Sequence, residues 1–315
     1  MVAAPRLAGQ GYDEDMNRPR LVVPVTVAPV SVTRFLSVLL ATLLSACAAA
    51  VPEPGPALTQ PVLLLGEVHD NAIQHAERLR AFEALLARGA RPALAMEQLD
   101  RERQSAIDAL FAGGAKPTAD AVIKAGAPGG GQGGGWNWDF YRPFIAAALK
   151  AGLPIVAANV SRDEARRVMR EGLAPLGFDA RVPADVLAAH TRDIVASHCG
   201  MIDAPMAGRM AQAQVARDQF MARVLERHAA RGVVLLAGNG HVRTDIGAPR
   251  WLKPEVRAIS HAVGWLEAGE GSLGAQDAQR LAFDVVRVTP AQARPDPCEG
   301  MRKQVPAKPA AAATR

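Results

Sequence analysis

Short apolar runs alternate with longer amphipathic stretches along residues 61–288. The clearest runs are 61–65, 93–96, 154–158 and 233–237, and later ones lie at 256–261 and 281–288. Short apolar runs bounded by turn residues are typical of buried strands. Because stretches with helical periodicity separate them, the pattern predicts one α/β domain with a mostly parallel central sheet flanked by helices.

The same periodicity places the helices. It predicts them at 72–88, 101–111, 139–151, 162–170, 184–197 and 205–230. The last three form a helical section between the third and fourth predicted strands. The apolar stripe of the first helix is Ile73, Ala76, Leu79, Phe82 and Leu86, and that of the last is Met206, Met210, Ala213, Phe220 and Val224. The Gly-rich residues 127–135 are predicted to form a flexible loop.

The N-terminal region has the pattern of an export signal. Arg34 precedes an uncharged apolar run over 35–46, which is too short for a membrane-spanning helix of roughly 20 residues. The run ends in Leu44-Ser45-Ala46-Cys47, which resembles the bacterial lipobox whose Cys is lipidated. We therefore expect residues 1–46 to be a lipoprotein signal, with Met16 as an alternative start, and Cys47 to carry the lipid. The open alternatives are an ordinary signal peptide or a buried helix with a chance Cys.

Charge and composition indicate how the rest of the chain is organised. The chain carries a net charge of +5, of which residues 1–46 hold +1 and residues 289–315 hold +3. A nucleic-acid-binding domain carries its basic charge on its folded part, so nucleic acid is not expected as a partner. We interpret residues 47–60 as a linker, 61–288 as the single folded domain, and the Pro/Ala-rich residues 289–315 as a disordered tail.

Two further cysteines, Cys199 and Cys298, follow the predicted signal. In an oxidising compartment such a pair favours a disulfide. The alternative is a metal site that includes Cys199, because His198 is its neighbour.

Polar side chains follow each of the first four strands directly. They are Glu67 and His69 after the first, Glu97 after the second, Asn159 after the third and His241 after the fourth. Ligands of open parallel sheets bind beyond the carboxyl ends of the strands. The sequence therefore predicts one shared site at this edge of the sheet.

The residue types at this edge suit two chemistries. Glu67, His69, Glu97 and His241 could bind a divalent metal and activate water, or act as general acids and bases without metal. No HExxH or CxxC spacing strengthens the metal interpretation. Neither a nucleophile elbow nor a Walker loop is present.

Two other features bear on the site. Arg217 interrupts the apolar stripe of the last helix, which predicts either a structural ion pair or contact with Glu67, Glu97 or an acidic ligand. Residues 136–141 contain four aromatic side chains, which indicate either a core plug or a flat wall for a planar ligand. Tyr141 is among them, and a Tyr phenolate is a suitable ligand for ferric haem.

Several segments together resemble the ChaN-type haem-binding lipoproteins, which are related to the erythromycin esterases and the Tiki metalloproteases. The matching segments are LLLGEVHDN, AMEQ, YRPF, PIVAANVSR, SHCG, QVARDQFMARVL and LLAGNGHVRTDIG, in this order between residues 62 and 247. The resemblance implies an α/β fold, an outer-membrane lipoprotein and a role in haem or iron uptake. Ala48 after the lipidated Cys is also typical of lipoproteins sorted to the outer membrane.

The resemblance also implies how haem would be held. In the characterised type, haem binds as a stacked pair within a homodimer, with a Tyr on each iron, so Tyr141 is the candidate ligand here. The other candidate cofactor-binding residues are His69, Asn159, Arg162, Arg217 and His241. Arg side chains would bind the propionates. In the wider group, Glu67, His69, Glu97 and His241 match hydrolase positions, so the alternative is a periplasmic hydrolase with or without a divalent metal.

Overall fold

Seven parallel strands form one sheet in the computed structural model, which describes residues 21–22, 58–112, 114, 116–132, 135–269 and 282–304. In chain order the strands are β1 (Leu21–Val22), β2 (Val62–Leu65), β3 (Ala93–Asp100), β4 (Ile155–Asn159), β5 (Val233–Leu236), β6 (Ser260–Glu267) and β7 (Val285–Thr289). Their spatial order is β1-β7-β6-β2-β5-β3-β4. The prediction of a mostly parallel α/β sheet is confirmed.

The helices cover this sheet. They are α1 (Ala72–Ala87), α2 (Gln104–Ala112), α3 (Ala119–Gly126), α4 (Trp138–Lys150), α5 (Arg162–Glu171), α6 (Ala184–Ser197), α7 (Ala204–His228), α8 (Asn239–Val242), α9 (Pro254–Arg257) and α10 (Pro297–Gln304). Helices α5 to α7 lie between β4 and β5, as predicted. Val256 belongs to α9, so the strand predicted at 256–261 instead begins at Ser260.

Alternating residues of the strands pack into two apolar layers, one on each face of the sheet. Leu63 and Leu65 of β2 pack with Phe82 of α1 and with residues of α4. Val62 and Leu64 face the opposite layer, which contains side chains of α7. Burial on both faces explains why the strands are continuously apolar.

Helix α1 buries a different face from the one that its most apolar residues predict. Its buried residues are Gln74, His75, Arg78, Phe82 and Leu85, whereas Ile73 is 43% exposed. Asn71 fixes the start of the helix because its side chain accepts hydrogen bonds from the backbone N–H groups of Ile73 and Gln74. The buried polar residues belong to the network around Glu67.

The structure describes residues 290–304, which belong to the predicted tail, and specific contacts join them to the domain. The Sγ atoms of Cys199 and Cys298 form a disulfide with a Cα–Cα distance of 5.6 Å. Arg294 forms ion pairs with Asp70 and Glu267, each at 2.6 Å. Of the two interpretations of Cys199, the structure shows the disulfide. The neighbouring His198 ends α6, and its Nδ1 contacts the carbonyl of Ile194 at 2.8 Å.

The Gly-rich segment is partly ordered. Pro128–Gly131 forms a 3-10 turn, and the indole of Trp138 donates to the carbonyl of Gly131 at 3.1 Å. Gly131 has a φ of +90°, and a Cβ there would meet Ile123 at 2.7 Å. This part of the segment is therefore packed against α3 and α4.

The predicted signal peptide lies outside the described residues, except for Leu21–Val22 in β1. Cys47 also lies outside them. Among the helices that the structure describes, none has both the length and the hydropathy to cross a membrane.

Candidate functional site

Glu67 follows β2 and is the centre of a buried polar network. Its Oε1 accepts a hydrogen bond from the Tyr141 hydroxyl at 2.5 Å and lies 2.8 Å from His69 Nδ1. Its Oε2 forms an ion pair with the Arg78 guanidinium and lies 3.7 Å from His75 Nδ1. The carboxylate and the guanidinium are both fully buried, so each compensates the charge of the other.

His69 extends from this network towards solvent. Its side chain is 51% exposed, although its partner Glu67 is not exposed at all. The ring meets Trp136 edge-on, with 4.8 Å between the ring centroids. Gly238 lies against the other edge, where an added Cβ would come within 2.8 Å of Cε1 and 3.0 Å of Nε2. The contact with Glu67 favours the tautomer with its proton on Nδ1, which leaves a lone pair on Nε2.

His241 is held between two acidic groups. Its Nδ1 lies 2.6 Å from Asp218 Oδ1, and its Nε2 lies 3.5 Å from Glu97 Oε1. The other Glu97 oxygen accepts the backbone N–H of Gly238 at 2.7 Å. His190 Nε2 approaches the second oxygen of Asp218 at 3.3 Å. The arrangement fixes the ring of His241 on both sides.

The electrostatics of this pair favour its charged form. Burial alone would lower the pKa of His241, but the charges of Asp218 and Glu97 outweigh it and raise that pKa. Burial alone would raise the pKa of Glu97, but the charges of His241 and His69 outweigh it and lower that pKa. A protonated imidazole beside an ionised carboxylate can donate and accept protons in turn.

A cavity of about 900 Å³ opens beside these residues. His69, Trp136, Glu97 and His241 form part of its wall, and Asn159, Arg103, Arg162 and Arg217 form another part. A second cavity of about 840 Å³ shares His69, Gln214 and His241 with the first. The edge of the sheet therefore brings Glu97, His69, Asn159 and His241 to one concave surface, while Glu67 lies behind His69.

Arg217 contacts the cavity instead of a core carboxylate. Within the described part of the chain it donates to Gln214 Oε1 at 3.2 Å and makes no ion pair. Burial lowers its pKa, against the opposing charges of Glu97 and Asp218. Of the two interpretations of this residue, the structure favours a position at the site. Arg162 is exposed at the start of α5 and lines the same cavity.

Tyr141 is in a position that argues against its assignment as an iron ligand. Its side chain is fully buried among Trp138, Phe144 and other core residues. Burial raises the pKa of its phenol, and the hydroxyl donates its proton towards Glu67. Ligation would require a phenolate beside an existing carboxylate, which is electrostatically unfavourable.

Of the aromatic residues in 136–141, some lie in the core and one lines the cavity, so each of the two interpretations holds for part of the stretch. Trp136 lines the cavity and contacts His69. Trp138 and Tyr141 belong to the core, and Phe140 stacks on His75 with 4.3 Å between centroids. Only the first residue of the stretch therefore provides a wall for a ligand.

The described residues contain no group of three or more His, Cys, Asp or Glu side chains that is arranged to hold a metal ion. His69 and His241 instead each contact a carboxylate through Nδ1.

Four residues that the sequence analysis left out complete the site: His75, Arg78, His190 and Asp218. Arg78 lies four residues before Phe82 on α1, so the two side chains share one face of the helix. A charged residue on this apolar face was the signal that could have identified Arg78. Asp218 follows Arg217 on α7 and is fully buried. Its role could not be recognised because its partner His241 is 23 residues away in another element.

Comparison with solved structures gives a match with a TM-score above 0.5, which shows the same fold. The solved structure of ChaN of Campylobacter jejuni with cofacial heme aligns with a TM-score of 0.59 and 24% identity, over 72% of this chain and 86% of that one. The type III effector HopBA1 aligns with a TM-score of 0.40 and 15% identity, over 74% and 88% of the two chains. A mutant of the erythromycin esterase EreC aligns with a TM-score of 0.40 and 12% identity, over 71% and 75%.

The sequence itself identifies the family. A search among curated proteins finds no match. Residues 56–252, well over half of the chain, match the family model described as haem-binding uptake, Tiki superfamily, ChaN. This range contains β2 to β5 and every residue of the Glu67 and His241 networks. The chain therefore belongs to the ChaN family of haem-binding uptake proteins, within the Tiki superfamily.

Proposed function

We propose that this protein binds haem in the 900 Å³ cavity, where His69 Nε2 would provide the ligand of the iron. The observation that supports this most directly is the half-exposed His69 ring, whose Nδ1 is fixed by buried Glu67 and whose Nε2 is left with a lone pair. Membership of a haem-binding family supports haem as the ligand.

The residues around the cavity fit the other parts of haem. The volume is within the range of cavities that enclose cofactors. Trp136 provides an apolar, aromatic side to the wall, next to His69. Arg103, Arg162 and Arg217 provide guanidinium groups, which match carboxylates such as propionates in shape and charge. Carboxylates line the same cavity, so the propionates would have to lie on the arginine side of the wall; these carboxylates are Glu97, Asp100, Glu102, Asp163 and Glu164. When bound, haem supplies the iron, and the chain supplies the ligand and the charge that holds the propionates.

A haem titration tests this proposal. The full-length protein with Cys47→Ser is titrated with hemin while the Soret band is recorded. We expect a saturable spectral change that His69→Ala abolishes and Tyr141→Phe preserves. The matched control is His198→Ala, which changes an imidazole that contacts the α6 backbone away from the cavity. A non-saturable titration would contradict haem binding, and loss of binding only in Tyr141→Phe would contradict the choice of ligand.

We further propose that the protein is anchored by lipid on Cys47 in the bacterial outer membrane and acts there in haem or iron uptake. The lipobox-like sequence supports the anchor, and a multiply acylated Cys would hold the protein stably. Cell fractionation tests it, because Cys47→Ser should move the protein from the membrane fraction to the soluble fraction. Membrane retention of this variant would contradict the anchor.

The proposal includes a homodimer that faces two haem groups towards each other, as suggested by the cofacial haem of the Campylobacter jejuni structure. Light scattering after size-exclusion chromatography should give a dimer mass when hemin is bound. A monomer at saturating hemin would contradict this arrangement.

A second candidate function is hydrolysis, which the orientation of His241 between Asp218 and Glu97 favours. An imidazole held by a buried carboxylate is a suitable general base or acid. Screens of ester and peptide substrates, together with metal analysis, test this candidate. His241→Ala should abolish any activity found while haem binding through His69 persists, and inactivity towards every substrate would contradict it.

A further inference from the structure

Resting on the proposed haem function, we infer that Glu67 is a positioning residue that sets the electron density of the His69 ligand, and that Tyr141 opposes it. Glu67 fixes the proton of His69 on Nδ1 and makes the ring a stronger donor at Nε2. A stronger donor stabilises ferric over ferrous haem, so the Glu67 network favours retention of the oxidised cofactor.

The two oxygens of Glu67 have separate partners. Oε2 contacts the guanidinium of Arg78, which also donates to the backbone carbonyl of Leu65 at 3.0 Å. Oε1 lies between His69 and Tyr141. The cation that balances the carboxylate is therefore on one side, and the oxygen that faces His69 is on the other.

The environment strengthens the contact between Glu67 and His69. The carboxylate is excluded from water while the ring reaches the cavity. Hydrogen bonds in such a low-dielectric environment are electrostatically stronger than in water. The backbone of His69 is fixed as well, because His75 Nε2 contacts its carbonyl at 3.0 Å. The ring itself meets Trp136 edge-on. Glu67 therefore acts on a ring whose backbone and one edge are held in place.

Tyr141 competes for the oxygen that His69 uses. Its hydroxyl donates to Oε1 at 2.5 Å and withdraws negative charge from that atom. Removing the hydroxyl should leave more charge available to His69, whereas removing the charge of Glu67 should leave less. The two residues are thus expected to change the ligand in opposite directions, which a merely structural role would not produce.

The experiment measures the reduction potential of the haem complex by spectroelectrochemistry on the full-length protein. Glu67→Gln should raise the reduction potential by about 59 mV or more. This shift corresponds, for a one-electron couple, to an at least tenfold fall in the affinity for ferric haem relative to ferrous haem. Tyr141→Phe should lower the potential. Because Glu67→Gln leaves buried Arg78 without its anion, the charge-balanced Glu67→Gln/Arg78→Gln variant is measured in parallel.

A second measurement uses the protein without haem. The ¹⁵N chemical shifts of the His69 ring report its tautomer by NMR. We expect the Nδ1–H form in the unaltered protein and a mixture of tautomers in the charge-balanced double variant. An Nε2–H tautomer in the unaltered protein would overturn the positioning role whether or not haem binds.

The outcomes separate the two proposals. If the unaltered protein takes up no hemin in a saturable manner, the haem function fails and the role of Glu67 towards haem fails with it. If haem binds through His69 but Glu67→Gln and Tyr141→Phe leave the potential unchanged, or shift it in the same direction, only the inference about Glu67 is overturned.

Discussion

At the scale of single residues, the backbone of Gly238 determines where the His69 ring can lie. A Cβ on residue 238 would come within 2.8 Å of His69 Cε1, which is closer than carbon atoms pack. The atoms that the added Cβ would meet belong to the His69 side chain at the edge of the cavity. The ring can therefore move away from residue 238 while the backbone stays in place. Gly240, two residues later, has nothing within 4 Å of an added Cβ and provides a matched control.

Gly238→Ala should therefore weaken haem binding about tenfold or more, which corresponds to roughly 1.4 kcal/mol, with little change in the melting temperature. The measurement is a Soret titration combined with thermal unfolding. Gly240→Ala should bind haem as the unaltered protein does. Equal affinities in the two variants would show that the ring position does not limit binding.

His241 should give the stability of the protein a defined pH dependence. Its folded-state pKa is raised above 6.5 by Asp218 and Glu97, which outweigh the opposing effect of burial. A raised pKa means that the folded state binds the proton more tightly than the unfolded state. The stabilisation is therefore fully present below about pH 6.5 and is lost as the pH rises through the folded-state pKa.

Urea unfolding at pH 6 and at pH 9 should thus show a larger loss of stability in the unaltered protein than in His241→Gln. The variant keeps a polar side chain of similar size but cannot be protonated in this range. The same pH dependence in both proteins would mean that His241 is not the titrating group.

At the scale of elements, α1 supports the site through a polar stripe on its buried face. Arg78 is fully buried and balances Glu67, which follows β2. The helix therefore contributes a charge to the site in addition to apolar packing. Removal of one member of a buried ion pair costs about 3–5 kcal/mol because it leaves the other charge uncompensated.

Arg78→Met should accordingly destabilise the protein by about 3–5 kcal/mol in urea unfolding. Arg78→Met combined with Glu67→Gln should cost less than the sum of the two single variants, because it removes both charges. The exposed Arg80 on the same helix is the control, and Arg80→Met should change stability by no more than about 0.5 kcal/mol. Additive effects of Arg78→Met and Glu67→Gln would indicate that the two charges do not interact.

At the scale of the whole molecule, the C-terminal segment ties distant parts of the fold together. The disulfide joins the turn after α6 to α10 and closes a loop with a sequence separation of 99. Arg294 joins the same segment to Asp70 beyond β2 and to Glu267 at the end of β6. Such a cross-link stabilises the folded state chiefly by reducing the freedom of the unfolded chain.

Cys298→Ser should lower the free energy of unfolding by about 2–4 kcal/mol, and a loop of this length allows up to about 4.7 kcal/mol. Reductant should lower the melting temperature of the unaltered protein to that of the variant and should leave the variant unchanged. A melting temperature that is insensitive to both changes would contradict a stabilising cross-link.

Much of the architecture was accessible from the sequence because its signals are local. Apolar runs predicted the parallel sheet, and the polar residues after the strands predicted which edge carries the site. Exposure is less accessible: Ile73 is more exposed than its apolar character suggests, and Tyr141, the candidate ligand, is buried in the core. Periodicity specifies that a helix has a buried face, but polar partners in the fold shift which residues occupy it.

The sequence by itself determined the order of strands and helices, the family, and the presence of Glu67, His69, Glu97 and His241 at strand ends. The tertiary structure alone decided their partners. Glu67 and Tyr141 are 74 residues apart in the chain, and Asp70 and Arg294 are 224 apart. Local patterns contain no information about such pairings, because burial and charge balance are satisfied only when the whole sheet and its helices are assembled.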